Sequence, residues 1–255
     1  MSAQAVRPWP YPLWIAHRGA GQLAPENTLT AFRAGARYGY RAFECDVKLS
    51  ADGVPFLLHD DTLQRTTPAC GVAGERPWAE LSRLDAGGWH SRGFAGEPIP
   101  SLESVAAFVR RNGHALNIEI KPTPGLEAET GRVVAREAER LWRGCAIPPL
   151  LSSFEAPSLA AAKDAVPALP RALLLDRLAQ GWFEHAQALD CTAVVTAYPL
   201  MDAAVIARLH DAGLRALCYT VNDPAEVQRL LALGIDGIIT DAVDRFSPAG
   251  AALLD

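Results

Sequence analysis

A (β/α)8 TIM barrel with a small insertion after its second strand is the fold class the sequence predicts, on three observations. Apolar runs alternate with amphipathic stretches from one end of the chain to the other. About eight of these runs have strand length, within a chain of a size at which α/β barrels occur as single units. Polar and charged residues close several of the runs, as they do on the catalytic rim of a barrel.

The strand candidates, in order, are Leu13–Ala16, Ala42–Val47, Ala115–Ile120, Leu150–Ser153, Ala172–Leu175, Ala193–Thr196, Ala216–Thr220 and Gly237–Ile239. Helical patterns between them cover Leu29–Tyr38, Leu102–Arg111, Leu126–Trp142, Met201–Ala212 and Ala225–Leu233, and the Ala-rich Ala156–Ala165 is a good helix former. Ser101 with Glu103 and Ser104 opens one helix and Asn112-Gly113 closes it; Asp211-Ala212-Gly213 and Leu233-Gly234 end two more. This alternation implies parallel strands joined by helical crossovers. An open doubly wound sheet is the alternative, but no GxGxxG follows the first strand. One region breaks the rhythm. From about Ser50 to Pro100 the chain has a turn at Ala51-Asp52-Gly53, a short run at Pro55–His59 that reads as an extra strand or hairpin arm, and a polar stretch with Trp78 and Trp89. One catalytic domain over residues 1–255, with this insertion at about 50–100, is expected.

With 49% hydrophobic and 21% charged residues the chain can bury a large core, and its net charge of -5 leaves no basic footprint for nucleic acid. Residues Met1 to Pro12 hold no apolar signal core, and no run approaches a membrane span, so a cytoplasmic location without stable membrane association is expected. Cys45, Cys70, Cys145, Cys191 and Cys218 are odd in number and scattered, with no metal or disulfide spacing; Cys45, Cys191 and Cys218 read as small core residues. The tail Ser247–Asp255 is small and apolar, and either docks on the barrel or frays. Oligomeric state is not readable.

The chemistry sits at the strand ends. His17-Arg18 follows the first strand. Glu44 and Asp46, two apart in the second, share a face, with Lys48 beyond. Asn117, Glu119 and Lys121 share a face of the third; Ser153 ends the fourth, Tyr219 to Asn222 the seventh, and Thr240-Asp241 the eighth. Carboxylates of Glu44, Asp46 and Glu119 offer hard oxygen ligands, which suit Mg2+ or Ca2+ better than Zn2+. A salt-bridged rim is the plainer reading, but three inward carboxylates would repel one another without a cation. One divalent cation with Arg18 and Lys121 offsets these three charges and that of a phosphodiester, leaving His17 and His59 to carry protons near neutral pH. His90, His114, His185 and His210 read as structural.

These residues resemble a known family. His17-Arg18-Gly19, Pro25-Glu26-Asn27-Thr28, Glu44-x-Asp46, Asp52-Gly53 followed by His59-Asp60, Glu119-Ile120-Lys121 and Asp236-Gly237-Ile238-Ile239-Thr240-Asp241 are similar, in order, to the motifs of glycerophosphodiester phosphodiesterases. Leu84-Asp85-Ala86-Gly87 and Ile99-Pro100-Ser101-Leu102-Glu103 resemble its short bacterial members. The resemblance spans about residues 13 to 245. It implies a TIM barrel with a small insertion and metal-dependent hydrolysis of a small glycerophosphodiester to sn-glycerol 3-phosphate and an alcohol. It implies His17 and His59 as general base and acid, Glu44, Asp46 and Glu119 as metal ligands, and Arg18 and Lys121 on phosphate oxygens. Glu26 and Asn27 would line the pocket, with Glu26 a metal neighbour. The family often carries tryptophan where this chain has Tyr219, which keeps a stacking wall for the substrate and adds a hydroxyl.

The attacking group is water or the substrate's own glycerol 2-hydroxyl; the residues leave both routes open. A phospholipase D-like enzyme would need an apolar membrane-facing rim, and Trp78, Trp89 and Phe94 are too few and too interleaved with charge. A non-catalytic phosphodiester-binding barrel would lack a histidine or a metal carboxylate, and all five are present.

Overall fold

The computed structural model describes residues 9–248. Residues 1–8 and 249–255, which include most of the Met1–Pro12 and Ser247–Asp255 segments read above, lie outside the described residues. Nine strands follow in order: β1 (Trp14–Ala16), β2 (Ala42–Leu49), β3 (Pro55–Leu57), β4 (Ala115–Ile120), β5 (Leu150–Ser153), β6 (Arg171–Leu175), β7 (Ala193–Ala197), β8 (Arg215–Tyr219) and β9 (Gly237–Thr240). Eight are parallel neighbours, and the pairing of β1 with both β9 and β2 closes the sheet into a barrel.

The helices are α1 (Leu29–Arg37), α2 (Trp78–Leu81), α3 (Leu102–Arg111), α4 (Glu127–Leu141), α5 (Ala156–Ala165), α6 (Trp182–Ala188), α7 (Ala203–Asp211) and α8 (Pro224–Ala232). Side-chain caps open some of them: Ser101, the start the sequence marks, accepts from the Ser104 amide, Asp202 from Val205 and Asp223 from Ala225. Helix α6 was not anticipated, because seven residues begun at a left-handed Gly181 are too short to develop a clear apolar period.

The core is layered as a barrel requires. Ile15, Ala42, Ala115, Leu150, Ala172, Ala193, Leu217 and Ile239 fill the interior. Two larger clusters lie between sheet and helices, one around Phe32, Phe43, Leu116 and Val134, the other around Leu173, Val194, Ile206 and Leu230. Strand alternation then carries the inward face of β2 from Ala42 through Glu44 and Asp46 to Lys48. On β4 the same face runs from Ala115 through Asn117 to Glu119, and Glu44 pairs with Asn117 while Asp46 pairs with Glu119. An apolar floor thus gives way to a charged rim along single strands.

The insertion has its own small core of Phe56, Leu58, Leu63, Ala73, Leu81 and Ile99. Its first part is the hairpin arm the sequence suggests. Strand β3 runs antiparallel to β2, with Val47 opposite Leu57, and the Leu58 amide donates to the Asp46 carbonyl at 3.1 Å. The turn between them uses Gly53 at φ 79°, a left-handed conformation that glycine adopts without a Cβ penalty. The return register carries His59 back to the level of Asp46.

Candidate active site

At the C-terminal rim one carboxylate oxygen from each of Glu44, Asp46 and Glu119 lies within 4.8 Å of the other two. Glu44 and Asp46 are buried. Burial and the Asp46 charge push the Glu44 carboxyl up, while Asp46, though equally buried, is held down by Arg18 and Lys121. Glu44 Oε2 accepts from the Arg18 amide at 3.0 Å, but its Oε1 is buried with no hydrogen-bond partner. An unpartnered oxygen in a like-charged buried cluster fits a hard divalent cation. The amide group of Asn117 and the hydroxyl of Ser152, on neighbouring inward positions, are also buried without partners.

Two cations flank the cluster. Arg18 Nε lies 3.3 Å from Asp46 Oδ2 and its Nη1 donates to Glu26 Oε1 at 2.9 Å. Lys121 Nζ reaches Glu119 Oε1 at 3.2 Å and Asp46 Oδ1 at 3.5 Å. Arg18 has φ 49° and Asn27 φ 58°, both left-handed, a cost that non-glycine residues bear where surrounding bonds over-determine the backbone. Those bonds are the Arg18 amide to Glu44 and the Asn27 amide to the Arg18 carbonyl at 2.9 Å. Thr28, which closes this motif, caps α1 by accepting from Ala31 and donates to the Pro25 carbonyl.

Both histidines are backed by a carboxylate. His17 Nδ1 is 2.6 Å from Asp241 Oδ1, and its Nε2 accepts from Arg18 Nε at 3.2 Å and lies 3.8 Å from Glu44 Oε2. Burial lowers His17, but the Asp241 bond and Glu44 outweigh it and the imidazole is raised overall. His59 Nδ1 is 2.7 Å from Asp60 Oδ1; burial leads a net lowering of that ring. Asp241 is held in turn by Asn222, whose Oδ1 accepts the Asp241 amide and whose Nδ2 donates to Asp241 Oδ2.

The other expected residues fall out as follows. Asn27 is buried and spends both ends of its amide on Asp46, donating to Oδ2 at 2.8 Å and accepting the Asp46 amide at 3.1 Å. Glu26 has both oxygens on guanidinium groups, Arg18 and Arg65. Tyr219 stands at the rim, donates to the Leu175 carbonyl at 3.2 Å and meets Phe154 edge-on at 5.7 Å. Ser153 is turned to the Ile120 carbonyl and Lys48 to Asp61, so neither lines the opening. A cleft of about 340 Å3 opens beside His17, Arg18, Glu26 and Asp241, walled by Trp89 and His90 of the insertion. His90, read as structural, therefore faces this opening; His114 is buried edge-on against Phe43, and His210 pairs with Asp236. Asp60, Arg65, Asn222 and Asp241 are polar residues to which sequence reasoning gave no role. The adjacency of Asp60 to His59 and the strand-end positions of Asn222 and Asp241 were the signals available.

The match to a family model decides the affiliation: the glycerophosphoryl diester phosphodiesterase family, over residues 17–245. The chain belongs to this family of enzymes. It is 31% identical over 236 residues to a glycerophosphodiester phosphodiesterase of Caldanaerobacter subterraneus, covering 90% of this chain and 93% of that one. A Bacillus altitudinis glycerophosphodiester phosphodiesterase is likewise 31% identical, over 91% of this chain and 95% of its own length. Among solved structures, an Oleispira antarctica phosphodiesterase in complex with the product sn-glycerol-3-phosphate superposes with a TM-score of 0.87 at 33% identity, covering 94% of this chain and 96% of its own. An Agrobacterium tumefaciens glycerophosphodiester phosphodiesterase superposes with a TM-score of 0.79 at 28% identity, over 92% and 98%. No helix among the described residues is long and apolar enough to cross a membrane.

Proposed function

We propose that this family member hydrolyses small glycerophosphodiesters to sn-glycerol 3-phosphate and an alcohol, in one catalytic domain spanning the chain. The observation that carries this reading is the convergence of three carboxylates, Arg18 and Lys121 on one point, with two carboxylate-backed histidines beside it. The relatives named above support the substrate class.

Glu44, Asp46 and Glu119 would hold one divalent cation, Mg2+ or Ca2+, which supplies Lewis-acid stabilisation of the phosphoryl oxygens. Asn27 orients Asp46 for that task through its two amide bonds, and so acts on the substrate indirectly. Arg18 and Lys121 bind the non-bridging phosphate oxygens, with Glu26 holding the Arg18 guanidinium in place. Each histidine donates Nδ1–H to its aspartate, which leaves Nε2 as the atom that exchanges a proton with substrate. One takes the proton of the nucleophile and the other protonates the leaving alkoxide; each transfer contributes ~10²–10⁴-fold. The Arg18 contact to His17 Nε2 must be released when that nitrogen works, and the phosphate is the group that draws the guanidinium away. Tyr219, with Phe154, forms a wall for the glycerol side. The five cysteines are all free thiols, which suits the reducing cytoplasm.

The test is release of glycerol 3-phosphate from glycerophosphocholine and glycerophosphoethanolamine, with EDTA and with added Mg2+ or Ca2+. Cation-dependent release is expected. No release with any cation from folded protein overturns the reading.

A further inference from the structure

The geometry points to Arg65 as a positioning residue that ties the His59–Asp60 pair to the Glu26–Arg18 pair, so that the proton-carrying and phosphate-holding arms are set as one unit. The inference rests on the proposed roles of His59 and Arg18. Arg65 comes from the polar part of the insertion, outside every strand and helix, where no sequence period marks it.

Its guanidinium uses two different edges. Nε and Nη2 grip Asp60, at 2.7 Å to Oδ2 and 3.0 Å to Oδ1. Nη1 and Nη2 grip Glu26, at 2.7 Å to Oε2 and 2.8 Å to Oε1. The shared nitrogen Nη2 therefore touches two particular oxygens: Asp60 Oδ1, which takes the His59 Nδ1 proton, and Glu26 Oε1, which takes an Arg18 Nη1 proton. One nitrogen stands between the oxygen that aims the imidazole and the oxygen that aims the phosphate-binding guanidinium.

An exposed ion pair is ordinarily worth little, and the Arg65 side chain is 43% exposed. The exceptions are bidentate forks and networks, and Arg65 makes two forks within a five-residue network. Asp60 needs such a hold, because its carboxylate would otherwise be free to rotate into water and release His59. Glu26 needs it too, since its alternative position is around Arg18 alone. The groups facing His59 are Asp60 on its own segment, Asp46 on β2, Arg18 after β1 and Lys121 after β4. Of these only Asp60 touches the imidazole Nδ1, and among the described residues it is Arg65 whose side chain grips the Asp60 carboxylate from beyond that pair. A lysine could supply the charge but not two edges at once.

The test compares the native chain with R65K and R65Q. Three readouts apply: turnover of glycerophosphocholine with divalent cation, the pH profile of kcat/KM, and the ¹⁵N shifts of the His59 ring. Both variants are expected to fold, to lose roughly 10–100-fold in kcat, and to move the His59 nitrogens from a single Nδ1–H tautomer toward a mixture. In R65K, where the charge is kept but the hold on Asp60 is lost, the limb of the pH profile belonging to His59 should move downward, because an Asp60 carboxylate released to water no longer supports the protonated ring. Either variant turning over within about two-fold of native, with unchanged ring shifts, overturns the inference. So does full recovery in R65K, which would make charge alone sufficient. H59A separates this from the underlying reading: native turnover in H59A removes His59 as proton carrier, while the ring shifts in the Arg65 variants still report whether the link exists.

Discussion

Across 224 positions of sequence, and from the two strands that close the barrel, His17 Nδ1 and Asp241 Oδ1 meet at 2.6 Å. The pair fixes which ring nitrogen of His17 faces the site. In Asp241→Asn the side chain can present an N–H to Nδ1 and favour the opposite tautomer, leaving Nε2 protonated. We expect kcat to fall by ~10²-fold or more with the fold intact by circular dichroism. A rate near native would remove the dyad from the mechanism.

The histidines themselves set the scale. His17→Ala and His59→Ala should each lower turnover by ~10²–10⁴-fold without loss of cooperative unfolding. A double variant no slower than either single variant would place both in one step chain.

Cation binding has a readout that does not need catalysis. Bringing Glu44, Asp46 and Glu119 within 4.8 Å stores like-charge repulsion that a divalent ion relieves. Mg2+ or Ca2+ at 100 times its Kd should therefore stabilise the protein by about 2.7 kcal/mol, seen as a rise in Tm that EDTA reverses. Glu119→Gln should raise the concentration at which that shift appears, and an unchanged titration would take Glu119 out of the ligand set.

Tyr219 offers a pH signature. Burial pushes its phenol up to about 12 from an ordinary 10. Its folded value lies above its unfolded one, so this contribution to stability is complete below pH 10 and is lost as pH rises toward 12. Tyr219→Phe should erase that part of the alkaline limb in a difference of denaturation curves, cost about 1 kcal/mol for the Leu175 hydrogen bond, and keep turnover. Tyr219→Ala should raise KM instead; equal KM in both variants would remove the ring from the substrate wall.

Gly35 tests how the loop after β1 is supported. In an isolated helix Gly→Ala would favour α1 by ~1 kcal/mol. Here the added Cβ would run into the Gly19 carbonyl oxygen and come within 2.9 Å of the Phe43 ring. We expect Gly35→Ala to destabilise by about 1–3 kcal/mol and to slow turnover by displacing His17 and Arg18. A gain in Tm would show that α1 does not bear on that loop.

Much of the site could be read directly from the chain. Glu44 and Asp46, like Glu119 and Lys121, sit two apart on strands, and the pleat alone puts such residues on one face. The rim position of His17 followed from the apolar run that ends before it. Asn27 and Glu26 were placed near the pocket but not in their relation to it, because a buried amide that serves Asp46 and one that faces substrate have the same sequence. Helix α6 and the course of the chain after His59 were not legible, since neither carries a period.

What the sequence determined by itself was therefore local and periodic: strands, most helices, the apolar floor and the charged rim. Tertiary structure alone decided which charges became partners. Closure of β1 onto β9 brought Asp241 to His17, the β2–β3 register returned His59 to Asp46, and the insertion laid Arg65 across Glu26 and Asp60. Pairings of this kind depend on barrel closure and loop path, which join residues from five positions apart, as Asp60 and Arg65, to 224, as His17 and Asp241, whereas pleat and helix periodicity act over two to four.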